Sequence, residues 1–233
     1  MESLIPFPSD YYEEKSLESS YILRTFEIPK DEIKRKLEGF SYELRESLSG
    51  IDLVFKNEKD WIGAKKLLEK FIYTDKPESI EQVLGRVLRD KGLSLGVAES
   101  CTGGMLSSRI VNVPGSSEYF IGGFVVYSNE LKIKYLGVKE ETLKRFGAVS
   151  WKTCFEMLIG LKENLKTSCG VAITGIAGPG GTPKKPEGLT YIGIFAGDKI
   201  TVVKRIFKKG RNANRFLSTQ TAMFYLLKIV KRL

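Results

Sequence analysis

Two side chains capable of nucleophilic attack are adjacent in the stretch Val97–Arg109, whose sequence is VAESCTGGMLSSR. Ser100 and Cys101 follow a hydrophobic run, and the glycine pair after them predicts a turn that opens a helix. Backbone N–H groups at such a turn can bind a phosphate, a carboxylate or an oxyanion. The hydroxyls of Ser100 and Thr102 are also suited to capping the helix. The spacing alone leaves catalysis, anion binding and capping as alternatives.

The chain contains no histidine, and this limits the chemistry open to either nucleophile. A Ser-His-Asp triad and a Cys-His dyad are both excluded, so a hydrolase would need a lysine, a tyrosine or a carboxylate as its base. Cys101 would also need a neighbouring cation to become a thiolate. These constraints favour Ser100 as the nucleophile and Lys132 as its base.

Lys132 comes shortly after the next predicted strand, which ends in Tyr127-Ser128-Asn129. If a helix begins near Asn129, Lys132 lies about one turn on and can face back toward the strand end. Burial or positive neighbours would lower the pKa of its ammonium group, so that the neutral amine could accept the serine proton. The alternative, which the spacing alone favours, is an exposed lysine and a tyrosine in the core.

Two further segments have the composition of ligand-binding loops. Thr174–Gly188, TGIAGPGGTPKKPEG, is rich in glycine and carries the pair Lys184-Lys185, but it matches neither a Walker loop nor a dinucleotide fingerprint. A flexible connection is the alternative. Arg215 lies in the first turn of the last predicted helix, against the preference of the helix dipole, as a phosphate-binding arginine would. An exposed arginine without a ligand is the simpler interpretation of that feature alone.

Composition indicates a globular protein of one or two domains. Of the 233 residues, 42% are hydrophobic, and we find neither a signal peptide nor an apolar run long enough to cross a membrane. The three cysteines fit neither a disulfide framework nor a metal pattern, so we predict a reduced cytoplasmic protein without a metal site. Residues 1–75 carry 12 Lys and Arg against 16 Asp and Glu, and residues 76–233 carry 25 against 12. The basic part predicts an anionic small-molecule partner, while no nucleic-acid-binding pattern is present.

Hydrophobic periodicity predicts a small α+β domain over residues 1–75. Its predicted elements are a strand at Tyr21–Ile28, a helix at Asp31–Leu48, a strand at Ile51–Phe55 and an aspartate-capped helix at Asp60–Phe71, with a linker at Tyr73–Pro77. Residues 76–233 are predicted to form an α/β domain of three α/β/α layers with a mixed sheet. Its predicted helices are Ser79–Asp90, Thr102–Val111, Asn129–Leu136, Glu140–Phe146, Trp151–Lys166 and Asn212–Arg232, and its predicted strands are Leu93–Ala98, Glu118–Tyr127, Gly170–Thr174, Leu189–Phe195 and Ile200–Phe207.

Several motifs occur together, in order, over Ser79–Leu233. They are AESCTGG, VPGSSEYFIGGFVVYSNELK, LGV, GAVS, GVAITGIAGPGGTPKKPEG and GRNANR, and this set resembles the C-terminal domain of the CinA family. That domain is a nicotinamide-nucleotide amidohydrolase, which converts nicotinamide mononucleotide to nicotinate mononucleotide and ammonia. Residues 1–75 resemble, more weakly, the middle domain of CinA proteins.

The resemblance implies that Ser100 is the nucleophile and that Tyr127 and Lys132 activate it. It also implies a substrate-binding set of Glu99, Cys101, Thr102, Gly103, Gly104, Asn129, Thr174, Gly175, Gly178 and Arg215, with Arg215 facing the nucleotide phosphate. In this mechanism the N–H groups of the glycine turn hold the oxyanion, and neither a metal nor a cofactor is required. We also expect a homodimer. The alternative function is a non-catalytic, regulatory nucleotide-binding module of the CinA type.

Overall fold

The computed structural model describes residues 21–233. The chain divides into two compact units, one ending at Ser79 and the other covering Ile80–Leu233, whereas the sequence predicted a division after residue 75. The start of the predicted linker lies in a strand, Ile72–Thr74, that pairs with the strand Ile22–Thr25. The Arg24 guanidinium also donates to the carbonyl oxygen of Glu78 at 2.8 Å. These contacts hold the segment before Ser79 in the first unit.

The described part of the first unit, residues 21–79, is a four-stranded antiparallel sheet in the order β2-β3-β1-β4, with two helices. Its core contains Leu23, Ile33, Leu53 and Leu68, all of them buried. The elements are β1 (Ile22–Thr25), α1 (Lys30–Lys36), β2 (Tyr42–Ser47), β3 (Gly50–Phe55), α2 (Glu58–Leu68), a 3-10 turn (Glu69–Phe71) and β4 (Ile72–Thr74).

The helix predicted at Asp31–Leu48 is wrong beyond Lys36. The chain turns at Gly39, whose φ of +84° is one that glycine adopts readily, and then forms β2. This strand pairs with β3 from Tyr42 opposite Phe55 to Ser47 opposite Gly50. Pairing with a distant segment therefore overrides an apolar spacing that also fits a helix. Helix α2 begins earlier than predicted, because Asn57 is its cap in place of the predicted aspartate.

The second unit contains a five-stranded mixed sheet in the order β6-β5-β7-β8-β9. β5 is parallel to β6 and β7, and the remaining neighbours are antiparallel. Its helices are α3 (Ile80–Asp90), α4 (Met105–Val111), α5 (Asn129–Leu136), α6 (Glu140–Phe146), α7 (Trp151–Leu165) and α8 (Arg211–Val230). Its strands are β5 (Leu95–Glu99), β6 (Phe120–Val125), β7 (Cys169–Gly175), β8 (Leu189–Ala196) and β9 (Lys199–Ile206), and a 3-10 turn lies at Ser116–Glu118.

Helices cover both faces of this sheet, which confirms the predicted three layers. Successive residues of β8 point to opposite faces. The Thr190 hydroxyl lies 3.3 Å from that of Ser218 in α8, while a side chain at Gly193 would contact Cys154 and Leu158 in α7. Within residues 21–233, no helix combines the length and the apolar character needed to span a bilayer.

The parallel strands of the second unit end together at one edge of the sheet. Glu99, the last residue of β5, is paired with Val125 of β6 on one side and with Ile173 of β7 on the other. The segments that follow these three strands are therefore neighbours. In open α/β sheets, ligands usually bind at the carboxyl ends of the strands. This edge is therefore the expected position of a ligand-binding or catalytic site.

Candidate functional site

The turn between β5 and α4 is built around the buried carboxylate of Glu99. One carboxylate oxygen accepts the N–H groups of Gly104, at 3.1 Å, and Leu106, at 2.9 Å. The other accepts the N–H group of Ser107 at 2.8 Å and its hydroxyl at 2.7 Å. A carboxylate in this position satisfies unpaired N–H groups and complements the helix dipole. Glu99 therefore caps α4, a role that the sequence left to Ser100 or Thr102.

Ser100 is fixed through its backbone, and its hydroxyl is left unengaged. Its N–H group donates to the carbonyl of Ile173 in β7 at 3.0 Å, and its carbonyl accepts the N–H group of Gly103 at 3.1 Å. The residue is 7% exposed. In the part of the chain that the structure describes, the Ser100 hydroxyl makes no hydrogen bond. A reactive oxygen is thus held in place without a competing partner.

The N–H groups of the glycine pair are not available to an oxyanion. That of Gly103 donates to Ser100, and that of Gly104 donates to Glu99. By contrast, the N–H groups of Cys101 and Thr102 donate to no other residue among residues 21–233. Any oxyanion bound by this turn would therefore contact Cys101 and Thr102, in place of the glycines that the sequence suggested.

Cys101 has a different environment from the serine beside it. Its thiol is buried, and a Cβ placed on Gly175 would lie 3.1 Å from its sulfur. Burial raises the pKa of Cys101 to about 12. The thiol therefore stays protonated near neutral pH and is a poor nucleophile.

Lys132 is a buried lysine, so the exposed alternative is wrong. It is 1% exposed, and its Nζ donates to the carbonyls of Val126 at 2.8 Å, Tyr127 at 3.0 Å and Ser128 at 3.4 Å. Burial lowers the pKa of Lys132 to about 8, and the nearby Cys101 thiol acts in the opposite direction. No hydrogen bond joins Lys132 to Ser100. The ammonium form is held by three carbonyls, and its loss of a proton lies within the physiological range.

Tyr127 and Asn129 are both exposed at the end of β6. Tyr127 is 62% exposed, so the alternative of a core tyrosine is also wrong. Its hydroxyl accepts a long contact of 3.5 Å from Arg211 and does not bond to Ser100 or Lys132. Asn129 begins α5 as predicted, and the preceding Ser128 hydroxyl caps that helix by accepting the N–H group of Leu131 at 3.2 Å.

Arg215 lies directly over the turn after Ser100. Its Nη2 donates to the carbonyl of Thr102 at 2.7 Å, and a Cβ on Gly103 would lie 3.5 Å from the same nitrogen. Among residues 21–233, Arg215 has no carboxylate partner. The Thr102 hydroxyl is buried and also lacks a hydrogen-bond partner within that range. Arg215 thus brings an uncompensated positive charge beside the candidate nucleophile.

The start of the loop at Thr174–Gly188 contacts the same turn. Gly175 lies against Cys101, where a side chain would collide. The Thr174 hydroxyl donates to the carbonyl of Ala148 at 2.8 Å, so it anchors the connection between α6 and α7. Lys185 likewise donates to the carbonyl of Phe146 at 2.5 Å. Both side chains hold segments of the protein together around the sheet edge.

The first turn of α8 anchors the rest of this loop. Gly178, with a φ of +102°, precedes a cis peptide bond to Pro179, and its carbonyl accepts from Arg211 at 2.5 Å. Asn214 donates to the carbonyl of Ala177 at 2.9 Å. Neither Arg211 nor Asn214 belongs to the substrate-binding set that was predicted from the sequence. The signal that could have found them is their position beside Arg215 in the motif GRNANR.

The structure therefore brings the turn after β5, Lys132, Gly175 and Arg215 to one place, and leaves the Tyr127 phenol outside it. Residues 21–233 contain no group of three His, Cys, Asp or Glu side chains placed to hold a metal ion.

Comparison with known proteins assigns the family. The model of the CinA C-terminal domain matches residues 77–230. The chain belongs to the CinA family. A CinA-like protein of Thermotoga maritima is 50% identical over 171 residues, which cover 72% of this chain and 42% of that protein. A CinA-like protein of Kosmotoga olearia is 47% identical over 163 residues, covering 70% of this chain and 39% of the relative. The chain spans less than half the length of these relatives.

Solved structures of CinA proteins share the fold of this chain. A competence/damage inducible protein of Agrobacterium tumefaciens is 35% identical with a TM-score of 0.61, covering 66% of this chain and 97% of its own. A CinA superfamily protein of Escherichia coli is 29% identical with a TM-score of 0.63, covering 65% and 89%. The mixed α/β architecture is thus that of the CinA superfamily.

We expect Glu99→Gln to destabilise the protein by about 2–4 kcal/mol, because an amide NH2 would face backbone donors that the carboxylate now accepts. Urea unfolding followed by circular dichroism measures the change. Glu130→Gln is the control, since Glu130 is an exposed acid in the first turn of α5 and should change the stability by less than about 1 kcal/mol, the usual helix-dipole contribution of such an acid. Equal effects of the two substitutions would contradict the capping role of Glu99.

Proposed function

We propose that this CinA-family chain is an amidohydrolase that deamidates nicotinamide mononucleotide through Ser100. The observation that carries the proposal is the turn after β5, where an unengaged serine hydroxyl directly precedes two backbone N–H groups that donate to no other residue among residues 21–233. A nucleophile next to donors for a developing negative charge is the arrangement that acyl transfer requires. The choice of substrate follows from the motifs that the chain shares with the CinA amidohydrolase domain.

In the proposed reaction, the Ser100 oxygen attacks the carboxamide carbon while neutral Lys132 accepts the hydroxyl proton. The oxyanion of the tetrahedral intermediate accepts hydrogen bonds from the N–H groups of Cys101 and Thr102. The Lys132 ammonium group then protonates the departing nitrogen, and ammonia leaves an ester on Ser100. Water hydrolyses this ester, which releases nicotinate mononucleotide and restores the serine. The electron-withdrawing pyridinium ring makes the amide carbon more susceptible to attack.

Lys132 is buried and has a lowered pKa, as a general base requires. Its Nζ has to turn from the carbonyls toward Ser100 before it can accept the proton. Its ammonium group is held by three carbonyls, and loss of one proton frees a lone pair at the expense of one of those bonds. Because Lys132 is buried and has no carboxylate partner among residues 21–233, its ammonium group loses a proton near pH 8. In the proposal Tyr127 assists the proton transfer, and its exposed phenol moves from Arg211 toward Ser100 when the nucleotide binds.

Arg215 is proposed to bind the nucleotide phosphate, with Arg211 beside it in the same helical turn. Neither guanidinium has a carboxylate partner among residues 21–233, and arginine is well suited to planar recognition of phosphate oxygens. The excess of basic residues over 76–233 would attract the same anion.

The second candidate is a regulatory module that binds a nucleotide without hydrolysing it. Two observations favour it, namely the three carbonyls that occupy Lys132 and the exposed Tyr127 phenol, which contacts Arg211 and makes no hydrogen bond to Ser100. In this alternative the same turn and Arg215 bind the anion, and no ammonia is released.

We further propose a cytoplasmic location, consistent with three buried free cysteines, and a homodimer.

The first test compares Ser100→Ala with Cys101→Ala in an assay of ammonia release from nicotinamide mononucleotide. We expect Ser100→Ala to lower kcat by at least about a thousandfold, because the nucleophile is lost. Cys101→Ala should retain activity within about tenfold, since its thiol is buried and protonated. Activity in Ser100→Ala would exclude the assigned nucleophile, and a wild-type protein that binds the nucleotide but releases no ammonia would support the regulatory module.

Arg215→Ala is expected to raise KM for nicotinamide mononucleotide by about ten- to a hundredfold, because a charge-assisted contact with the phosphate is lost. Steady-state kinetics measure the change, with nicotinamide riboside as the substrate that lacks the phosphate. KM for the riboside should change little. Arg145→Ala removes an exposed arginine of α6 and serves as the control. An equal rise in KM for nucleotide and riboside would argue against phosphate recognition.

The pH dependence tests Lys132. Only the neutral amine can accept the serine proton, and burial lowers the pKa of Lys132 to about 8, so kcat/KM should rise with pH and level off above about pH 9. Lys132→Arg, which stays charged, should remove this rise and nearly all activity. Lys134→Arg changes an exposed lysine of the same helix and should keep the wild-type profile. A flat wild-type profile between pH 6.5 and 9 would exclude Lys132 as the base.

A further inference from the structure

A buried guanidinium joins three helices behind the candidate site. Arg109, in α4, is almost fully buried. Its Nε donates to the Glu81 carboxylate of α3 at 2.6 Å. Its two terminal nitrogens donate to side-chain oxygens of α8, namely Thr219 at 2.7 Å and Gln220 at 2.6 Å. The guanidinium carbon also lies 4.2 Å from the centre of the Phe216 ring.

These contacts fix α8 against the segment after Ser100 at a second place. The first place is the bond from Arg215 to the carbonyl of Thr102, just before α4 begins. The second place is near the end of α4, where Arg109 donates hydrogen bonds to Thr219 and Gln220, about one turn further along α8 than Arg215. α8 is also attached to the loop after β7 by the Asn214 bond to the Ala177 carbonyl and lies against β8 through Ser218 and Thr190, and the Arg109 bonds attach it to α4. The Arg109 contacts therefore hold the first turns of α8 against α4, one helical turn from the point where Arg215 reaches the Thr102 carbonyl.

We propose that Arg109 is a positioning residue that holds the first turns of α8 so that Arg215 lies over the turn after Ser100. The inference deepens the proposed function, because it rests on Arg215 as the phosphate-binding group. It concerns a residue that touches neither the substrate nor Ser100.

The chemistry of the guanidinium suits this role better than general core packing would. Its planar set of donors can bond to oxygens in different directions at once, which a lysine ammonium on a flexible chain does less well. Glu81 provides the counter-ion that makes burial of the charge tolerable. With this partner on α3, the remaining donors are free to fix α8.

The test uses Thr219→Val, because substitution of Arg109 itself would leave Glu81 buried without its partner and could unfold the protein. Thr219→Val removes one acceptor on α8 and keeps the Arg109–Glu81 pair. Thr221→Val is the matched control, since Thr221 is a buried threonine of the same helix whose hydroxyl has no hydrogen-bond partner within residues 21–233. Arg109→Lys is a second variant, which keeps the charge for Glu81 but cannot reach both oxygens of α8.

We expect Thr219→Val and Arg109→Lys to raise KM for nicotinamide mononucleotide by about fivefold with kcat within about twofold, and Thr221→Val to change neither. In an Arg215→Ala background, Thr219→Val should have no further effect on KM, because the group it positions is absent. An equal rise in KM with and without Arg215, or a loss confined to kcat, would overturn the proposal.

A second readout does not need activity. Arg215→Ala removes the bond to Thr102, so it should lower the urea midpoint of unfolding, and lower it less in the Thr219→Val background, where that bond is already weakened. Equal shifts in the two backgrounds would overturn the positioning role. If the wild-type protein releases no ammonia while the shifts differ, the proposed reaction fails and the positioning of Arg215 stands.

Discussion

The hydrogen bonds to the Glu99 carboxylate are the interaction on which the rest of the site depends. β5 lies between two parallel strands, so its last residue has little choice of position. The carboxylate of that residue then accepts the first free donors of α4 and defines where the helix begins. Because Glu99 occupies these donors, the helix terminus cannot also bind a substrate anion. The N–H groups that donate to no other residue among residues 21–233 are those of Cys101 and Thr102, immediately after the serine.

Two buried cations lie near this turn, and they differ in whether a carboxylate compensates their charge. Arg109 has a carboxylate partner, Glu81, and oxygen acceptors from a neighbouring helix. Among residues 21–233, Lys132 has only backbone carbonyls as partners, whose partial charges offset burial less completely, and burial lowers its pKa to about 8. A charge with a counter-ion is suited to fixing helices, while a charge without one can lose its proton at a modest cost. Arg215 also has no carboxylate partner among residues 21–233, and its guanidinium is therefore available to bind an anion.

The sequence predicted the features that depend on neighbouring residues. Helices α5 and α6 begin and end where predicted, since their starts and their C-terminal glycines are local signals. Ser100 at the end of a buried strand was found in the same way. The layered arrangement of the second unit was predicted as well, but several contacts between distant segments were missed. Strand β2 exists because it pairs with β3, and Arg109 meets an acceptor 110 positions away. The capping role of Glu99 was missed for another reason, since a motif gives no direction for a side chain.

The fold gives the two adjacent nucleophilic side chains, Ser100 and Cys101, different environments. The turn after β5 directs the Cys101 side chain against Gly175 in the core, where burial keeps the thiol protonated. A serine hydroxyl is neutral in any environment, so Ser100 loses nothing by its partial burial, provided that a base is near. In a chain without histidine, that base has to come from a group whose ordinary pKa is far from neutrality. Burying Lys132 at the end of β6 is one way to bring such a group into range, and the same burial keeps water from competing for its proton.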